Sequence, residues 1–191
     1  MSAPPNQPEY MSQRERGSAL LIILAIIGIG AAFLLVSALN KANQQIERDK
    51  VSTAALAKAK EALIGFAATY RDTHANEVFG YLPCPDATNT GTAAANCGAA
   101  DISTAGHLPW GTTLGLPDLR DSSGECLWYA VSGTGKDSTK TSVFNWDTPG
   151  QFIVQDAGGT ILAGATPHER PVAVVFAPRA SLGGQNRASA G

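Results

Sequence analysis

The run SALLIILAIIGIGAAFLLVSAL, residues 18–39, decides how the rest of the chain is read. It carries no charge and no proline, and Leu, Ile, Ala, Val and Phe make up most of it. Wound as an α-helix it is roughly 33 Å long, enough to cross the hydrocarbon core of a bilayer. A helix buried in a soluble domain normally keeps one polar face, and this run has none. It therefore reads as a transmembrane helix, with everything downstream as its extension or its cargo.

Residues 1–17 are polar and rich in Pro, Gln and Ser, ending in the charged lead-in QRERG (13–17). They cannot build a core and read as a cytoplasmic leader peptide. Arg14 and Arg16 precede the span while Lys41, Arg48 and Lys50 follow it, so basic charge alone leaves the orientation open. On the far side, residues 40–71 contain no proline and much alanine, which favours continued helix. Leu56, Ala59, Leu63, Phe66 and Tyr70 recur at spacings of three and four and form one apolar stripe, with Lys58, Lys60 and Glu61 off it. A shorter stripe, Leu39, Ala42 and Ile46, lies upstream. The anchor is thus expected to run on into an amphipathic helix whose stripe packs on a globular domain. Gly28, Gly30 and Gly65 are its weak points, at about 1 kcal/mol each against alanine.

Composition bounds the remainder. A chain of 191 residues with net charge −2 allots one domain plus an anchor. Lys and Arg do not gather into the basic stripe of a nucleic-acid binder, so nucleic acid as a partner has no compositional support. Residues 72–191 hold most of the Gly and Pro and read as a β-rich domain. Within it, YLPCPD (81–86) cannot be helical, 87–106 reads as a polar loop, and CLWYAVS (126–132) as a strand. Residues 152–155 and 160–163 flank Asp156-Ala157-Gly158-Gly159 as a hairpin. PVAVVF (171–176) is the most apolar strand and is expected at the centre of the sheet. The tail after Pro178 is expected to be mobile. The fold class is α+β: a long N-terminal helix against a small antiparallel sheet.

If the domain is exported, Cys84 and Cys97, which close a short loop, are the favoured disulfide; the alternatives are pairing of either with Cys126 and three reduced thiols in a cytosolic domain. Processing by an ordinary signal peptidase after Val36-Ser37-Ala38 is disfavoured by the length of the apolar run. SGTGKD (132–137) departs from a phosphate loop at Ala130 and Asp137 and reads as a turn. His74, His107 and His168 show no metal-ligand spacing, and Cys126 with His107 makes a nucleophile pair only by residue type. Asp86, Asn89 and Asp101 lie in an oxygen-rich loop and are calcium candidates without the EF-hand pattern. Asp118, Arg120 and Asp121 suit turn hydrogen bonds and a solvated ion pair. Of Trp110, Trp128 and Trp146, any exposed one is a recognition anchor.

The lead-in QRERG followed by SALLI (18–22), the apolar run and the amphipathic continuation resemble the type IV pilins and the type II secretion pseudopilins. GYLPCPD (80–86) and HLPWGTTLGLPDLRDSSGECLWYAVS (107–132) are similar to uncharacterised pilin-like proteins. The resemblance implies cleavage between Gly17 and Ser18 by the prepilin peptidase, methylation of the new N-terminus, and insertion in a bacterial inner membrane with the domain periplasmic. It further implies membrane lipid, other pilin or pseudopilin subunits and an inner-membrane assembly platform as partners, and no cofactor. Small residues such as Gly28, Gly30, Ala31 and Ala32 then allow close helix approach. Two positions depart from the family: Ser18 replaces the usual Phe, and Ile22 replaces the glutamate that neutralises a neighbouring subunit's amine. Because a buried unpaired ammonium is costly, Ile22 points to a minor, tip-located subunit rather than a repeating one. Alternatives are a pilus-tip binding module, an adhesin or DNA receptor using the loops at 87–121, and an anchored periplasmic enzyme.

Overall fold

The computed structural model describes residues 12–138, 140, 145 and 147–185, with side chains from Ala19 onward in the helix. One helix, α1, runs over Ser12–Thr73. It begins inside the segment read as a leader, because Gln, Arg and Glu are good helix formers and extend the apolar run backwards. Residue contacts divide the chain into two units, 1–47 and 48–191.

In the first unit the side chains from Ala19 are exposed, apart from a half-buried Ser37. Leu20, Ile22, Ile26, Phe33, Leu35 and Leu39 are among the exposed apolar ones. The helix is long and apolar enough to cross a membrane. The short stripe Leu39, Ala42 and Ile46 is exposed as well.

In the second unit the helix turns one face inward. Ala55, Ala59 and Leu63 join Leu82, Leu108, Leu119, Leu127, Tyr129 and Val131 in the core, with Leu56 packed at its margin. Tyr70 is buried, Phe66 half-buried, and Lys58, Lys60 and Glu61 are exposed, as the spacing predicts. The buried face also begins earlier than the predicted stripe, with Ser52 and Ala55. Small side chains at 52, 55 and 59 carry little hydrophobic signal but let a neighbouring layer approach closely.

Five short strands follow: β1 (Thr104–His107), β2 (Trp128–Val131), β3 (Val154–Gln155), β4 (Ile161–Ala163) and β5 (Ala173–Phe176). β1, β2 and β5 form an antiparallel sheet in that order. The most apolar segment is therefore at an edge and β2 is central, which corrects the expectation for 171–176. Tyr129 and Val131 are fully buried in β2, whereas β5 is only half-buried. β1 is a second correction, since it starts within the loop expected over 87–106. Its Gly106 admits the backbone of 85–86, where a Cβ would lie 2.9 Å from Pro85 and 3.0 Å from the Asp86 carbonyl. Reciprocal backbone bonds between Asp86 and His107, at 2.9 and 3.0 Å, close that contact.

β3 and β4 form the predicted hairpin. Asp156 shapes its turn by accepting from the amides of Gly158 and Thr160 at 2.9 and 2.8 Å. Beyond β5, Arg179 is tied in place: its amide donates to the buried Asp121 carboxylate at 2.7 Å and its guanidinium to Asp49 at 2.9 Å. Asp121 also accepts from the Ser123 and Glu125 amides, and the Ser122 amide donates to the Ser52 hydroxyl at 3.1 Å. The first tail residues are thus anchored; residues 186–191, like 1–11 of the leader and Trp146, lie outside the described residues.

Candidate functional site

Gly17 and Ser18 lie within the helical backbone of α1, so the predicted processing bond sits in an unbroken helix. At Gly28 and Gly30 an added Cβ would meet nothing within 4 Å, which leaves that surface open to a neighbour. The helix also passes through 36–38 without interruption. This exposed apolar surface is followed by residues that build the core of a domain.

The second feature is the loop after the helix. Tyr81 to Asp86 are all buried in extended backbone, as two prolines require. Cys84 is bonded to Cys97, and Cys126 is a buried free thiol. Lys136, in the turn at 132–137, has no exposed surface. Its Nζ donates to the carbonyls of Cys97, Gly98, Ala99 and Ile102 at 3.1, 3.0, 2.6 and 3.1 Å. An ammonium has three N–H bonds, so four acceptors share them in a cage around one positive charge. Burial pulls the Lys136 pKa down, and Asp101 opposes that shift. Nothing in the sequence marks this lysine, since a lysine in a Gly-rich turn is ordinarily solvated.

Among the calcium candidates, Asp86 is fully buried and its carboxylate is taken up by its own loop. It accepts from the Thr88 amide and hydroxyl at 2.7 and 3.0 Å and from the Gly91 amide. Burial would raise the Asp86 pKa, but these donors outweigh it and hold the carboxyl below its ordinary value. Asn89 takes a left-handed turn conformation, and the Asp101 carbonyl accepts from Gln151 at 2.9 Å. The three are not drawn into a ligand set, and the neighbouring carbonyls already hold the Lys136 ammonium. Among the described residues no group of three or more His, Cys, Asp and Glu side chains is placed to hold a metal.

The histidines are apart: His74 stacks on Tyr70 at 4.0 Å, His107 packs on Trp128 at 4.9 Å, and His168 lies in a 3-10 turn. Cys126 pairs through its backbone with Arg120, and among the described residues no hydrogen bond links it to His107. Arg120 pairs with Asp118 at 2.7 Å on the surface, as its spacing suggests. Trp110 is half-buried beside Gly91, and Trp128 is half-buried between His107 and Phe176.

His107 is expected to contribute acid sensitivity. Burial lowers its pKa below 6.5, with Asp86 opposing and Arg120 reinforcing. A depressed folded pKa means the stabilisation is complete above the unfolded value and is lost as pH falls through the folded one. The melting temperature of the full-length protein should therefore fall as pH is lowered from about 7.5 to about 5. His107→Gln should flatten that slope.

Comparison with known proteins gives no matching family model, no matching curated protein and no matching solved structure.

Proposed function

We propose that this chain is a minor pilin-like or pseudopilin-like subunit: a single-pass bacterial inner-membrane protein with a periplasmic domain, processed at Gly17/Ser18 and assembled into a filament. One observation carries the reading. A helix exposed and apolar on all sides over most of its first half continues into the core face of a disulfide-bonded α+β domain. Such a surface needs lipid or other helices around it, and a subunit that exchanges one for the other requires both. The QRERG–SALLI boundary supplies the processing site. Ile22 supports a minor position, because it offers no carboxylate to a neighbour's amine.

The test is the mature N-terminus of the protein expressed in hosts with and without prepilin peptidase. The expected result is a chain starting at Ser18 and methylated only where the peptidase is present. A start at Leu39, or an uncut chain in both hosts, would overturn the proposal.

A further inference from the structure

β5 is the outer strand of its sheet, and among the described residues no strand pairs with its other edge. Beside it runs an apolar groove of about 700 Å³ between the helix and the sheet, lined by Leu56, Leu63, Ile64, Ala173 and Val175. Among the described residues Lys60 is its only charged lining residue, and Ile64 is 57% exposed there. An unpaired edge flanked by an apolar trough has the shape that accepts an added strand.

The β3–β4 hairpin has the opposite character. Ile161 and Leu162 are 45% and 66% exposed, and Ile153 just before β3 is exposed as well. Two strands alone make a sheet with unpaired edges and are marginal in water. Carboxylates flank this apolar surface: Asp156 at the turn and Glu169 beside Ile161–Ala163. Asp156 is fixed in position by the amides of its own turn.

We propose that the groove of one chain receives the β3–β4 hairpin of a second copy, with Ile161 and Leu162 against Leu56, Ile64 and Val175 and the hairpin carboxylates facing Lys60. Apolar strand meets apolar trough, and negative rim meets positive rim. Stable complexes bury about 1,200–2,000 Å² in total, more than a hairpin tip supplies, so the contact is weak in dilute solution. It becomes populated where anchoring concentrates the chains. The two surfaces differ, so association is head-to-tail and open-ended rather than a closed dimer. This deepens the filament reading and rests on it for its setting.

The test uses full-length protein in phosphatidylcholine liposomes, as an equal mixture of unlabelled and nitrogen-15-labelled chains, with carbodiimide linking amines to nearby carboxylates. The expected product joins Lys60 to Asp156 or Glu169 in mixed-isotope peptide pairs. Leu162→Asp should cut its yield about tenfold or more while leaving the melting temperature unchanged, since that side chain is mostly exposed. Leu182→Asp, at an exposed residue that belongs to neither the groove lining nor the hairpin, should leave the yield intact. Links confined to same-isotope pairs, no link to either carboxylate, or a yield indifferent to Leu162→Asp would each overturn the proposal. A filament subunit assembled by other contacts would still be processed at Gly17/Ser18, so the two proposals fail separately.

Discussion

Lys136→Met is expected to cost the domain about 3 kcal/mol, because it removes the charged donor that four backbone carbonyls share. In a domain of this size that lowers the melting midpoint by roughly 12 °C. Methionine matches the length and most of the volume of lysine, so packing is nearly conserved and the loss reports on the charge. The carbonyls of Cys97, Gly98, Ala99 and Ile102 lose the donor that a fully buried side chain supplies. Lys136→Arg keeps a charge but needs room for a planar fork, and it should recover only part of the loss. Melts of the full-length variants followed by far-ultraviolet circular dichroism measure both. An unchanged midpoint in Lys136→Met would show that the cage contributes nothing.

The second large effect is expected from Cys84→Ser combined with Cys97→Ser. The bond closes a short loop, and its removal should cost about 3 kcal/mol in the chain-entropy treatment. Cys84 lies in the buried run 81–86, whereas Cys97 begins the stretch whose carbonyls surround Lys136, so bond and cage hold one loop. Neighbouring interactions of this kind are not additive. The triple variant should therefore lose less than the sum of its parts, and a simple sum would show the two devices to be independent. Reducing agent should reproduce the double variant.

The parts legible in the sequence are those where one strong physical signal acts alone. Residues 18–39 announce their helix by having no polar face, and Leu63 and Tyr70 place the inward stripe by period. Asp156 and the glycines after it mark a hairpin, and a sequence separation of 13 makes Cys84 and Cys97 a natural pair. What was hidden depends on neighbours distant in sequence. Thr104–His107 has a loop's composition and becomes a strand because Gly106 lets the Pro85–Asp86 backbone come close. Residues 171–176 have the stronger apolar run, but 126–132 gained strands on both sides and so became central. Lys136 could not be found at all, since its partners are carbonyl oxygens that every residue possesses.

Asp121, Ser52, Asp49 and Arg179 acquire a further meaning once force is considered. Through Ser122 and Arg179 they fasten the loop at 121–125 and the chain after β5 to the helix near residues 49–52. These are among the first fastenings met by tension entering the domain along its helix. Bonds that must slide past one another together resist such a pull better than bonds opened one at a time. The clasp therefore makes the chain just after β5 part of the load path.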